Sequence, residues 1–288
     1  MLALPHAATL ENYTIDKVLG AGGFGITYLA FHKVTGAPCA IKEYFPRSAS
    51  IRGQNGSVWI SDKKNESQFN HGLQRFWEEA ENLARFRHPN IVKVLQRIVA
   101  NGTAYIVLEY IEGMSLEQWA IQATERPSQG DLDDFLAGLL DALETIHRAQ
   151  LLHRDIAPRN ILLRNGTPVL IDFGSARILD PSKDMTTILT PGYAPYEQYP
   201  PLGQKQGPWT DIYGLSASVY RTLTRKPPAD AITRKITNDS YYVPLAGQFG
   251  TEYRRQFLES LDWGLKLNAS DRPQTVGAWR SALFRGRS

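Results

Sequence analysis

Cysteine is almost missing from this chain. One residue of that type, Cys39, occurs in 288, which excludes an internal disulfide framework, and no Cys/His spacing suits a zinc site. Cys39 lies in the apolar run Pro38-Cys39-Ala40-Ile41, where a thiol packs rather than attacks. No run of five like charges occurs and the formal net charge is only +3, so nothing marks the chain as a nucleic-acid binder. No window approaches the roughly 18 uninterrupted apolar residues of a membrane span. The most apolar helix candidate, Phe135 to Leu140, runs straight into Asp141 and Glu144. Met1-Leu2-Ala3-Leu4-Pro5-His6 has neither the basic residues nor the sustained apolar core of a secretory signal. Repeats and low-complexity tails are lacking, and no sensor domain is expected within these residues. A cytoplasmic product without a membrane segment is expected. What the chain does have is 42% apolar residues, enough to fill one large domain or two lobes sharing a cleft.

The chemistry concentrates in residues 153 to 174. His153-Arg154-Asp155 leads to Asn160, then Ile161-Leu162-Leu163-Arg164, the turn Asn165-Gly166, Val169-Leu170-Ile171, and Asp172-Phe173-Gly174. Two short apolar runs around Asn-Gly predict a β-hairpin, whose outer ends must meet. Asp155 and Asn160 should therefore lie beside Asp172. An acid, an amide and a second acid in one small volume suit phosphoryl transfer: a carboxylate to orient an attacking hydroxyl, and oxygen ligands for a hard cation on the phosphates.

These residues resemble the catalytic loop and metal-binding motif of the eukaryotic-like protein kinases. Gly20-Ala21-Gly22-Gly23-Phe24-Gly25-Ile26-Thr27-Tyr28 and Gly192-Tyr193-Ala194-Pro195-Tyr196-Glu197-Gln198 resemble the bacterial serine/threonine members of that superfamily. The match runs from about residue 13 to 284. It implies an α+β, bilobal fold: a five-stranded antiparallel sheet with one helix over about 13–108, a hinge at about 109–115, and a mainly helical lobe over about 116–286. ATP with Mg²⁺ (or Mn²⁺) is expected between the lobes, and protein substrates as phosphate acceptors.

The glycine segment alone is a weak signal, because a dinucleotide-binding turn shows the same spacing. That reading needs a helix after the glycines, yet Ile26-Thr27-Tyr28-Leu29 is strand-like, and a Walker P-loop needs lysine where Ile26 stands. A glycine-rich hairpin over phosphates passes both tests. The resemblance assigns Gly20, Gly22 and Gly25 to the phosphates, Thr27, Ala40 and Leu162 to the adenine, and Lys42 to the α- and β-phosphates. Thr27 stands where the family usually has valine. The lysine's partner is a glutamate on a helix predicted over Phe69 to Arg87, where Leu73, Phe76, Ala80, Leu83 and Phe86 recur at helical spacing. Glu78, Glu79 and Glu81 are candidates; counting back from His88-Pro89-Asn90-Ile91-Val92 favours Glu79. Glu109 and Ile111 fall where the family's hinge backbone meets adenine, and Leu108 where it guards the rear pocket.

Between Lys42 and that helix, about residues 44–69 exceed the family pattern and predict an extra hairpin around Gly53-Gln54-Asn55-Gly56. Its Trp59 reads either as an interaction anchor or as a residue packed on the lobe, packing being the favoured expectation, and the insertion is expected to restrain the helix that follows.

The rest follows from the resemblance. Asp155 positions the hydroxyl, Asn160 and Asp172 hold metal, and His153 packs with Phe173. The family's serine/threonine members carry lysine where Ala157 stands; the cation here is Arg159, as in tyrosine kinases. Thr190, expected beside Asp155, points back to serine/threonine specificity, and Leu189 replaces a usual glycine. Thr186-Thr187 read equally as a phosphorylation site or as two polar loop residues. Thr210 or Asp211 is expected to cap a helix, Asp211 to tie that helix to the catalytic loop, and Arg272 to pair with Glu197. Two rivals stand beside this reading: a pseudokinase scaffold, which usually lacks one of Lys42, Asp155 or Asp172, and a small-molecule kinase, which lacks the Gly192-to-Glu197 apparatus.

Overall fold

The computed structural model describes residues 2–173, the backbone of 177–178, and residues 189–199 and 205–287. Gly174, Thr186 and Thr187 lie outside the described residues. Two compact units emerge, Met1–His88 with Val92–Ile111, and Pro89–Ile91 with Glu112–Ser288.

The first unit is built on an antiparallel sheet of β1 (Thr9–Leu10), β2 (Tyr13–Ala21), β3 (Gly25–His32), β4 (Pro38–Tyr44), β7 (Val94–Ala100) and β8 (Thr103–Glu109), in the order β1-β2-β3-β4-β8-β7. The sheet has six strands rather than the expected five. The extra strand is a two-residue edge that pairs Thr9 with Thr14 and Leu10 with Tyr13. Two residues carry no alternation that a sequence pattern could reveal. Cys39 is buried, its thiol facing the Ala30 carbonyl at 3.5 Å, and burial pushes that thiol up to about 11, as suits a packing residue.

The inserted hairpin forms as β5 (Ser50–Arg52) and β6 (Val58–Ile60). Trp59, however, is 61% exposed and donates its indole N–H to Ser57 Oγ at 2.7 Å, so the expected packing on the lobe does not occur. Strand alternation explains this: Val58, one residue earlier, takes the buried face. Helix α1 runs from Glu66 to Leu83, not Phe69 to Arg87. The apolar period starts only at Phe69, which hides the first polar turn.

The second unit holds β9 (Met114–Ser115), α2 (Leu116–Gln122), α3 (Gln129–Arg148), β10 (Leu151–Leu152), β11 (Ile161–Arg164), β12 (Thr167–Leu170) and β13 (Arg177–Ile178). Helices α4 (Pro208–Thr224), α5 (Ala231–Ile236), α6 (Leu245–Phe249), α7 (Arg255–Gly264) and α8 (Val276–Leu283) complete it. Ser115 and Ser128 open α2 and α3 with capping boxes completed by Gln118 and Asp131. Helix α3 buries Leu136, Leu139, Leu140, Leu143 and Ile146 as one stripe, and the chain leaves its C-terminal end for β10 and the segment that begins at His153. Helix α4 starts at Pro208, with Gly207 as its N-cap. Thr210 takes part in that cap from the third helical position, where its Oγ1 accepts the Gly207 N–H at 3.3 Å, whereas Asp211 does not cap the helix; the proline at the first helical position sets the start upstream of both.

Candidate active site

In the first unit, β2 and β3 are joined through the glycine segment, where the Gly22 N–H donates to Gly25 O at 2.9 Å. Gly20 pairs with Thr27, next to an irregularity in the β2–β3 register. Gly25 leaves no space for a Cβ, because the Glu43 carbonyl of β4 is against it. The register then sets Thr27 opposite Lys42, Lys42 opposite Ile106, and Ala40 opposite Leu108. Lys42 Nζ reaches Glu79 Oε1 at 2.9 Å, and Glu79 is 7% exposed, whereas Glu78 and Glu81 are exposed. Of the three candidates, then, Glu79 is the one that meets the lysine. Glu109 ends β8; its N–H donates to Lys93 O at 2.9 Å, while its carboxylate accepts from the Lys93 N–H at 3.0 Å. Ile111 is buried at the end of this unit.

In the second unit the Asn165-Gly166 hairpin closes as predicted, pairing Ile161 with Leu170 and Arg164 with Thr167. Beyond its ends, Ile171 N donates to Asn160 O at 2.9 Å, so Asp172 follows directly on a residue bonded to Asn160. Leu162 pairs with Ser115 of β9. Asn160 turns its amide N–H₂ toward Asp155, 2.9 Å from both the main-chain oxygen and Oδ2. Asp155 Oδ1 also accepts from Thr190 Oγ1 at 2.8 Å, and Arg159 Nη2 bridges to Oδ1, Oδ2 and Thr190 Oγ1 at 3.1, 2.9 and 2.7 Å. The carboxylate is thus held in place by a hydroxyl, a guanidinium and an amide. Arg159 is half exposed.

The loop that presents Asp155 is strained. Arg154 and Asp172 have φ of 69° and 59°, in the left-handed region that non-glycine residues seldom occupy. Asp211 offsets part of this cost. Its Oδ1 accepts the Arg154 N–H at 2.7 Å and its Oδ2 accepts the His153 N–H at 3.0 Å and meets His147 Nε2 at 2.7 Å. Arg154 itself is held at two further points: Gln198 Nε2 donates to Arg154 O at 2.8 Å, and Gln206 Oε1 accepts from Arg154 Nε at 2.6 Å. His153 stacks on Phe173 with ring centroids 4.6 Å apart. His147, Gln198 and Gln206 were not singled out from the sequence. A neutral amide or a histidine late in a helix carries no signal until the fold reveals what it touches.

Burial works against ionisation of Asp211. The hydrogen bond and attraction of His147, the nearby His153 and the Arg154 N–H outweigh it and hold the carboxyl below the usual carboxylate range. A folded value below the unfolded one, about 3.9, contributes stability that is present above that value and is lost as pH falls through the folded one. We therefore expect the thermal midpoint to fall on acidification partly through this residue. Asp211→Asn should lower the midpoint at neutral pH and flatten its dependence between about pH 5 and pH 3. Melting curves across that range check both, and an unchanged acid slope in the variant would remove Asp211 from the account.

Arg272 meets Glu197 in a fully buried, two-pronged ion pair, with Nη1–Oε1 2.7 Å and Nη2–Oε2 3.1 Å. The remaining guanidinium donors go to the carbonyls of Lys266, Trp209 and Leu267, so all five N–H groups are used. Glu197 also accepts from Thr210 Oγ1 at 3.0 Å, and Tyr213 lies under the guanidinium at 4.8 Å.

Residues 13–281 match the protein kinase domain family. Among curated proteins, the chain is 31% identical over 244 residues to serine/threonine-protein kinase C of Synechocystis, covering 80% of this chain and 41% of that protein. It is 29% identical over 240 residues to the probable serine/threonine-protein kinase PknB of Bifidobacterium longum, covering 78% and 32%. PknF of Mycobacterium tuberculosis is 29% identical over 237 residues, covering 79% and 46%. The chain thus spans between a third and a half of the length of these relatives. Among solved structures, PpkA-294 in its apo form superposes with a TM-score of 0.87 at 37% identity, covering 98% of this chain and 100% of that one.

Proposed function

We propose that this chain, which belongs to the protein kinase family, transfers the γ-phosphate of ATP to serine and threonine hydroxyls of protein substrates, its own among them. The observation that carries the reading is the Asp155 carboxylate, oriented by Thr190, Arg159 and Asn160. A carboxylate held this way can align a substrate hydroxyl and take its proton as the phosphoryl group is transferred. Arg159 offsets charge on that group. Lys42, steadied by Glu79, meets the α- and β-phosphates, and Gly20, Gly22 and Gly25, having no side chains, let the backbone of the glycine segment approach phosphate oxygens. Main-chain groups of Glu109 and Ile111 bond adenine, with Thr27, Ala40 and Leu162 along its faces.

A hard divalent cation, Mg²⁺ or Mn²⁺, fits the oxygen donors of Asn160 and Asp172. Asn160 spends its N–H₂ on Asp155, which leaves Oδ1 for the ion. When bound, the cation supplies positive charge against the phosphates. Acceptor choice rests on Thr190, which contacts Asp155 and Arg159 and continues into the Pro191-Gly192-Tyr193 segment. Among the described residues no helix is long and apolar enough to cross a membrane. We place the enzyme in the bacterial branch of the family, acting in the cytoplasm where ATP is supplied.

The test is a set of peptides identical except for serine, threonine or tyrosine at the acceptor, run beside a sugar and an aminoglycoside with MgATP. Transfer to serine and threonine at least tenfold above tyrosine, and none to the small molecules, is expected. Preferred transfer to tyrosine or to a metabolite would overturn the assignment.

A further inference from the structure

The inserted hairpin is bonded to the glycine segment through one buried carboxylate. Glu43 follows Lys42 in β4 and, by strand alternation, points to the opposite face, where it is fully buried. Four donors converge on it. Tyr28 Oη and Tyr105 Oη each donate at 2.7 Å, and Arg52 of β5 donates from Nη1 at 3.0 Å and Nη2 at 2.5 Å. Burial and the Glu43 charge both raise the pKa values of the two phenols, keeping them as donors. Arg52 continues outward to the carbonyls of Gly56 at 2.9 Å and Leu2 at 2.6 Å, with its plane over the Phe45 ring at 4.7 Å. The hairpin is also docked at its other strand, where Val58 N donates to Asn101 O at 2.6 Å.

The chain between Glu43 and Arg52 therefore starts and finishes at the same ion pair. Along this short path its amides pair with the tip of the glycine segment: Phe45 N donates to Phe24 O at 3.0 Å, and Arg47 N to Gly23 O at 2.9 Å. The strand partner of the glycine hairpin thus extends past Lys42 and reaches the two residues at its tip. Tyr44, in the same stretch, donates to Phe69 O at 3.1 Å and stacks on Phe69 and Phe76 of α1, the helix that supplies Glu79.

We propose that Arg52, acting through Glu43, is a positioning residue for nucleotide binding: it closes the path that holds Phe45 and Arg47 against the carbonyls of Phe24 and Gly23. The claim rests on the kinase reading for its kinetic consequence, but its structural consequence is independent of activity. A segment whose tip is paired at two carbonyls exposes its N–H groups to phosphate in one arrangement, and the ordering cost is met before the ligand arrives.

The test uses the full chain with Arg52→Met, which keeps a long unbranched side chain but removes the guanidinium, and Arg52→Lys, which keeps the charge but loses the fork. Hydrogen exchange is followed at individual amides, and KM for ATP and kcat are measured where turnover is detectable. The Phe45 and Arg47 amides should exchange at least tenfold faster in Arg52→Met, while amides of β7 and β8 keep their wild-type rates. KM for ATP should rise on the order of tenfold with kcat changed less than threefold, and Arg52→Lys should fall between. Unchanged Phe45 and Arg47 exchange overturns the proposal, as does acceleration spread evenly over the whole first unit, which a merely structural role would produce. If Arg52→Met does not fold, the lysine variant decides by the same amides. Should the wild type transfer no phosphate, the exchange result still stands, so the two claims fail separately.

Discussion

Asp155→Asn should lower kcat by a factor on the order of 10² to 10⁴, with the KM for ATP and the thermal midpoint close to those of the wild type. Asparagine has the shape of aspartate and can still accept from Thr190, so the loop keeps its form. The substitution removes the negative charge that orients Arg159 and the basicity that accepts a hydroxyl proton. On the proposed reading nucleotide affinity rests on other residues, Lys42 and the glycine segment among them, which accounts for the expected split between kcat and KM. Steady-state rates on one protein substrate, with nucleotide binding measured in parallel, make the comparison. A rate within threefold of the wild type would mean that Asp155 is not the proton acceptor.

The second large effect is on stability. Arg272→Met should destabilise the second unit by about 3–5 kcal/mol, because it leaves the Glu197 carboxylate buried with, among the described residues, only Thr210 Oγ1 as a partner. The loss comes chiefly from the stranded charge rather than from the value of the pair. Arg272→Met combined with Glu197→Gln should therefore recover a large part of it. Urea unfolding of the three variants gives the comparison through midpoints and slopes. A single variant within about 1 kcal/mol of the wild type, or a double variant worse than the sum of its parts, would contradict this.

Much of the site can be read from the sequence because its residues sit in local patterns. Asn165-Gly166 between two apolar runs specifies its hairpin without help from the rest of the chain, and that hairpin alone brings Asn160 next to Ile171 and Asp172. Glu79 could be chosen from three glutamates by counting from His88-Pro89-Asn90. The helical period agrees with that choice, since Glu79 lies three residues after Phe76 and four before Leu83, on the buried face that Glu78 does not share. Arg272 and Glu197, 75 positions apart, are paired only by the family resemblance.

What could not be read has a common cause. Glu43 in a strand and Arg52 near a turn each look like solvated charges, and their burial depends on Tyr28 and Tyr105 arriving from two other strands. The Asp211 role was legible only as resemblance, and its local reading as a helix cap was wrong, since Pro208 and Gly207 set the helix start. Helices α5 and α6 fell in a stretch that reads as loop, being too short to show a period. The exposed Trp59 shows that an aromatic in a short hairpin takes its face from register, not from hydrophobicity.

The most direct test of the whole account is to incubate the wild-type chain with γ-labelled ATP, Mg²⁺ and a generic protein substrate, with and without a chelator, and to identify the labelled amino acids after hydrolysis. The account predicts phosphoserine and phosphothreonine on the substrate or on the chain itself, abolished by the chelator. Saturable ATP binding with no labelled residue in any arm would contradict it, and would mean that a chain carrying Lys42, Asp155 and Asp172 binds nucleotide without transferring phosphate.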